Sequence, residues 1–160
     1  MTTATAAKET SPITVGTPAP DFTLKDQDNK DFKLSDFLGK KPVALFFYPL
    51  DWSPTCTKEN SCFTQDLSGF SQCAEVAAVS RDSVWSHKAW AEKLGLKHRL
   101  LADMHLNAAK AYGLFHPAGI SQRATVLIDK KGQVAWVKVE ADISKERNYG
   151  EVSEQLKKLA

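Results

Sequence analysis

In the stretch YPLDWSPTC, residues 48–56, a hydroxyl and a thiol stand three residues apart, Ser53 and Cys56, with Pro54 directly after the serine. Ser-Pro is a favoured opening for a helix. The hydroxyl can accept a backbone N–H at the N-cap, and proline in the first turn has no N–H to leave orphaned. Cys56 then falls in the first turn, where free N–H groups and the positive end of the helix dipole stabilise a thiolate and make the sulfur a nucleophile. Disulfide exchange of the CxxC kind would need a second cysteine where Ser53 stands. A hydroxyl three residues before a thiolate can instead hold one oxygen of a substrate while the sulfur attacks its neighbour, which is what cleaving an O–O bond requires. The spacing favours peroxide chemistry.

The elements that must position these groups follow from periodicity. VALFFY, residues 43–48, is a continuous apolar run and predicts a buried strand leading into the reactive loop. Beyond the loop, Cys62, Phe63, Leu67 and Phe70 form a helical stripe expected to end near Gly69. Upstream, residues 22–24 and 31–34 flank KDQDNK as an N-terminal β-hairpin. Downstream come a strand at EVAAVS, a helix over residues 83–94, a short strand at HRLLA, and a short helix over 107–112 closed by Gly113. ATVLID, KKG and QVAWVKV form a second hairpin, and Asn148 with Glu151 opens a last helix running to Leu159. Strand and helix alternate and a hairpin closes the set, which predicts an α/β protein with a mixed central sheet and helices on both faces.

The 160 residues, 42% hydrophobic and 25% charged, suit one folded domain, expected over residues 13–160 behind a flexible N-terminal tail at 1–12. A net charge of +2, with basic and acidic residues interspersed, gives no footprint for nucleic acid. No apolar run reaches the ~18 residues that a membrane span needs. The opening MTTATAAKETSP lacks the apolar core of a secretory signal, so a cytoplasmic location is expected. Three cysteines, Cys56, Cys62 and Cys73, are an odd set, which argues for reduced thiols rather than a disulfide framework. Their spacings do not fit a zinc site, and no metal or other cofactor is expected. His87 and Trp90, three apart on a helix, read as structural, and His98, His105 and His116 show no partner spacing, so no histidine is assigned a function.

Pro49-x-x-x-Ser53-x-x-Cys56 resembles the Pro-x-x-x-Thr/Ser-x-x-Cys signature of the peroxiredoxins, and FFYPLDWSPTC is similar especially to their bacterioferritin-comigratory, or PrxQ-type, branch. The likeness runs from PAPDFTLKD through DSVWSHKAW and RATVLID to the last helix. It implies a thioredoxin-like fold and a thiol peroxidase acting on hydrogen peroxide and organic hydroperoxides, with electrons from thioredoxin or a similar thiol reductant and with neither haem nor flavin. On the matching residues it implies Cys56 as the peroxidatic cysteine, oxidised to a sulfenic acid. Ser53 would hold the peroxide, and Pro49 would shield the sulfenate. Arg123 would approach the sulfur from RATVLI and stabilise charge on the leaving oxygen. Glu59 would orient an arginine by a charge-assisted hydrogen bond. Members of the family occur as monomers and homodimers.

A sulfenic acid needs a second thiol to resolve it. PrxQ-type proteins often carry it five residues after the first, and here Cys62 is six residues on. Six residues of intact helix rise ~9 Å, beyond the ~4.4–6.8 Å Cα separation of a disulfide, so the helix would have to unwind. The polar residues of CTKENSC are consistent with a turn that tolerates solvent. Cys73, expected between the helix and EVAAVS, is a second resolver, and an external thiol a third. Two rivals share Cys56: a disulfide reductase or isomerase, disfavoured by the lack of CxxC, and a redox sensor or holdase switched by oxidation.

Overall fold

The structure, a computed structural model, describes residues 11–159, so the expected tail lies outside the described residues as far as position 10. In the N-terminal hairpin, Thr23–Lys25 (β1) pairs antiparallel with Asp31–Lys33 (β2), Leu24 opposite Phe32. The Asp26 carboxylate closes the turn by accepting from the backbone N–H groups of Asp28 and Lys30, and Asn29 takes the left-handed conformation that asparagine tolerates. A 3-10 turn, Leu34–Phe37, follows the hairpin and has no counterpart in the sequence reading.

Val43–Phe47 (β3), Pro54–Cys73 (α1), Glu75–Ser80 (β4), Val84–Leu94 (α2) and Arg99–Ala102 (β5) form two successive β-α-β units. Strand β4 lies parallel beside β3, and β5 parallel beside β4. Phe63 and Phe70 of α1 and Trp90 of α2 share one core cluster, so both helices lie on one face, as two crossovers of like hand stepping in the same direction require. Asn107–Ala111 (α3) comes next, then a two-residue ribbon of Phe115–His116 (β6) and Ile120–Ser121 (β7) that the sequence did not announce. Ala124–Ile128 (β8) and Val134–Val139 (β9) make the closing hairpin, and Tyr149–Lys157 (α4) ends the described chain. The sheet order is β2-β1-β5-β4-β3-β8-β9, with β8 antiparallel to β3. This is the mixed sheet of a thioredoxin-like α/β fold.

Period-two alternation along β3 divides the core. Ala44, Phe46 and Tyr48 point to the face where Phe63 and Phe70 of α1, Trp90 of α2, and Val152 and Leu156 of α4 pack. Leu45 and Phe47 point to the other face, against Ala108 of α3, Tyr112, Leu114 and the hairpin's Phe32. Gly113 closes α3 with φ at 67°, and a Cβ there would run into the Ser11 carbonyl. The last two residues of the expected tail therefore lie against the domain.

Helix α1 runs four residues past its expected end, through Gly69 to Cys73. An exposed glycine inside a helix costs only ~1 kcal/mol relative to alanine, and Phe70, buried directly after it, holds the last turn to the core. Cys73 is thus in the final turn of α1, not in a connection to β4.

Candidate active site

The chain leaves β3 with Tyr48 N–H still bonded to the Val79 carbonyl, 3.0 Å, and enters the loop through buried Pro49. Trp52 takes the left-handed conformation, φ 69°, and Ser53 returns to extended geometry as the N-cap of α1. The Ser53 hydroxyl accepts from Cys56 N–H at 3.3 Å and donates to the Leu50 carbonyl at 3.2 Å. Pro54 occupies the first turn, as the sequence predicts. Cys56 is fully buried, and the Arg123 guanidinium donates to its sulfur from Nη2 at 3.2 Å.

Arg123 precedes β8 and is held from two sides. Its Nε and Nη2 donate to the Ile143 carbonyl at 3.0 and 2.8 Å, and its Nη1 donates to Glu59 Oε1. Glu59, one turn after Cys56 on α1, also receives Arg147 through the backbone N–H at 2.8 Å and through Nε at 3.1 Å. Arg147 completes its donors with the carbonyls of Ala124 and Phe47 and the Thr125 hydroxyl, at 2.8–3.0 Å, and lies 5.3 Å from the ring centres of Phe46 and Phe63. Burial alone would push the Glu59 carboxyl up, but the attraction of Arg147, with that of Arg123, outweighs it and holds the group below the ordinary carboxylate range. Burial likewise opposes the charge on Arg123, and Glu59 with Cys56 more than restores it. Two guanidiniums against one carboxylate leave one positive charge unmatched in this cluster, and the group it faces is the Cys56 sulfur. That is the arrangement a thiolate needs.

Pro49, Ser53, Cys56, Glu59 and Arg123 are brought to one locus, as the sequence predicts. Cys62 and Cys73 are not. All three cysteines are free and lie on α1, with Cys62 ~9 Å and Cys73 ~25 Å along the axis from Cys56. The expectation that CTKENSC tolerates solvent holds for Lys58, which is exposed, and for half-buried Thr57, Ser61 and Cys62, but not for its other two polar residues. Glu59 and Asn60 are fully buried, because α1 turns this part of the segment toward the sheet and every polar atom there finds a partner. Asn60 donates to the Cys56 carbonyl at 2.9 Å and meets His98 Nε2 at 2.8 Å, while His98 Nδ1 meets the Thr64 hydroxyl at 2.9 Å.

Sequence reasoning missed Arg147, whose only local signal is its place one residue before the Asn148 N-cap of α4. It also missed His98, which burial pushes down to about 4. An unfolded histidine binds a proton below ~6.5 that folded His98 refuses, so its contribution to stability is intact at neutral pH and falls as pH drops from ~6.5 to ~4. The loss amounts to about 3 kcal/mol over that window. Urea unfolding at pH 7 and pH 4.5 measures it, and His98→Gln is expected to flatten this pH dependence. Glu59 adds a second acid-sensitive contribution. Its depressed carboxyl stabilises the fold above the unfolded value and is lost as pH falls through the lower, folded one.

Residues 15–137 match the AhpC/TSA family. "2-Cys peroxiredoxin BAS1, chloroplastic" of Hordeum vulgare is 40% identical over 143 residues, covering 82% of this chain and 68% of that protein. The chain belongs to the peroxiredoxin family. "Peroxiredoxin Q, chloroplastic" of Triticum aestivum, from the branch the loop motif resembles, is also 40% identical, over 78% of this chain and 58% of its own length. The chain thus spans 50–58% of the length of several of these plant relatives. Among solved structures, the reduced 2-Cys peroxiredoxin of Plasmodium vivax superposes with a TM-score of 0.84 at 32% identity, covering 91% of this chain and 81% of that one. Ile143 and Arg147 lie beyond the matched residues, yet Ile143 directly and Arg147 through Glu59 hold the arginine at the sulfur of this peroxiredoxin.

These comparisons overturn the cytoplasmic location expected from the sequence, because the plant relatives are chloroplastic by name. The expectation rested on the lack of an apolar secretory core. Transit peptides need no such core, being amphipathic, Arg- and Ser-rich and poor in acidic residues.

Proposed function

We propose that this peroxiredoxin is a thiol-dependent peroxidase with Cys56 as its peroxidatic cysteine. The observation that carries the reading is the 3.2 Å contact from Arg123 Nη2 to the Cys56 sulfur, made by an arginine whose other donors are fixed by Glu59 and the Ile143 carbonyl. The Cys56 thiolate attacks one oxygen of a hydroperoxide. The S–O bond forms as the O–O bond breaks, the sulfur becomes a sulfenic acid, and the leaving alkoxide or hydroxide takes up a proton as alcohol or water. Arg123 is aimed at the region where that negative charge develops, and a site that is already ordered spends nothing on reorganisation. The Ser53 hydroxyl, which donates to Leu50 in the resting site, turns to donate to the bound peroxide. Pro49, buried at the loop's entry, excludes water from the sulfenate.

Cys62 is the resolving thiol in this reading, because Cys73 is too far along α1 to be reached by melting a turn or two. The Cys62 thiol condenses with the sulfenic acid, releasing water and forming a disulfide that thioredoxin or a similar dithiol reduces. The first turns of α1 must unwind for this, breaking the bonds of Glu59 and Asn60. Hydrogen peroxide and organic hydroperoxides are the substrates, and a plastid is the setting that the relatives' names support.

Intact mass and peptide mapping of the reduced protein after one equivalent of hydrogen peroxide test the assignment. A Cys56–Cys62 disulfide is expected, and a Cys62→Ser chain is expected to stop at the Cys56 sulfenic acid. A disulfide to Cys73, or a lasting sulfenic acid in the unaltered protein, would remove Cys62 from the resolving role.

A further inference from the structure

Asp51 lies midway between Pro49 and Ser53, on a loop whose neighbouring residues Leu50 and Trp52 are exposed, yet its carboxylate is fully buried. Oδ1 accepts from the Tyr48 hydroxyl at 2.6 Å. Oδ2 accepts from the Ser86 hydroxyl at 2.9 Å and meets His87 Nδ1 at 2.7 Å. The Asp51 backbone N–H donates to Asp82 Oδ2 at 2.8 Å, and Ser80 donates to the same oxygen at 2.6 Å. Trp52 Nε1 reaches the Ser86 hydroxyl at 3.3 Å. Four residues beside β3 and β4 or on α2, Tyr48, Asp82, Ser86 and His87, thus converge on one loop residue.

His87 is fully buried on α2, and its Nε2 meets the Leu101 carbonyl of β5 at 3.1 Å. A carbonyl can only accept, so Nε2 carries a proton. Nδ1 meets a carboxylate oxygen, so a second proton lies on the axis between Nδ1 and Oδ2. The pair is therefore a proton-sharing, charge-balanced unit rather than an uncompensated buried carboxylate, and it ties the loop to α2 and β5 at once. Directly beside it, Trp52 is held at φ 69°, a conformation that costs a bulky residue energy and persists only when its neighbours fix it. Released, Trp52 would relax toward extended geometry and carry Ser53 with it.

We propose that Asp51 and His87, with Tyr48, are positioning residues that hold the Pro49–Ser53 loop in the shape that presents the Ser53 hydroxyl to peroxide at Cys56. They touch no substrate and act through the loop. Arg123 does not depend on them, since its anchors are on α1 and in the segment before α4. The inference rests on the peroxidase reading and predicts a separation that a merely structural role would not produce. Loss of the anchor should slow the peroxide step while leaving the intrinsic reactivity of the thiol intact.

The full, reduced chain is assayed for oxidation of Cys56 by hydrogen peroxide and, in parallel, for alkylation of Cys56 by iodoacetamide, read by peptide mass. Asp51→Ala is expected to slow the peroxide step about 30-fold or more, since a misplaced group of about 1 Å can cost 10²-fold, with alkylation changed less than about threefold. Asp51→Asn, whose amide can accept from Tyr48 and donate to a neutral His87, is expected to recover most of the rate. Tyr48→Phe keeps the ring that stacks on Trp90 and is expected to lose about tenfold, as for one hydrogen bond, so it decides the matter should Asp51→Ala not fold. Peroxide and alkylation rates that fall together, or a peroxide rate unchanged in the variant that folds, would overturn the inference. An unaltered protein no faster with peroxide than a free thiol would overturn the peroxidase reading and the inference with it.

Discussion

Exchange of Cys56 for serine is expected to abolish peroxide consumption, leaving only the background loss seen in buffer with the thiol reductant. An oxygen at this position sits in the same first turn of α1 and can accept from Arg123, so the fold and the positive cluster should survive. What disappears is the nucleophile. A serine hydroxyl without an available base stays protonated, and the Glu59 carboxylate of this network is taken up by Arg123 and Arg147. Following hydrogen peroxide directly in the presence of reductant measures the effect. Turnover that survives in Cys56→Ser would move the chemistry to Cys62 or Cys73 and sink the assignment.

Glu59→Ala should be the most damaging substitution outside the cysteine. It leaves Arg123 and Arg147 buried with their shared counter-ion gone, and breaking a buried ion pair by removing one partner costs about 3–5 kcal/mol. In a chain of this size that lowers Tm by about 10 °C. The peroxide step should slow as well, because Arg123 keeps only the Ile143 carbonyl to aim it at the sulfur. Glu59→Gln retains one acceptor oxygen and should fall between the two in both thermal unfolding and stopped-flow oxidation. An alanine variant as stable as the original would mean that the two arginines find other partners and that Glu59 does not organise the site.

Local signals in the sequence carried the elements that deliver the nucleophile. Five apolar residues in β3, the Ser53-Pro54 opening of α1, and the Asn148 cap of α4 each act within a few residues, and each was legible. The family motif added Pro49, Arg123 and Glu59. Arg147 was not legible because its role is defined by Glu59, Phe47 and Thr125, none of them near it in sequence, and because an arginine in KERNYG looks like any solvated charge. Asp51 and His87 were hidden for the same reason: nothing short of the folded sheet puts residue 87 beside residue 51. The end of α1 was misjudged because a glycine was given more weight than the buried phenylalanine after it. Polar residues in CTKENSC suggested exposure, which Lys58 has and Glu59 and Asn60 lack, because polarity says nothing about which side of a helix faces the sheet when every buried group has a partner.

The position of Arg147 also sets an order of events in synthesis. Cys56 leaves the ribosome 91 residues before Arg147 and 87 before Ile143. At the ordinary pace of translation that gap is roughly 5–20 s. During it, Glu59 has no Arg147 and Arg123 has no Ile143 carbonyl, so the nascent chain carries the thiol without the completed cluster that faces it. The cluster around the thiol is therefore completed only when the segment before α4 docks onto α1 and β8.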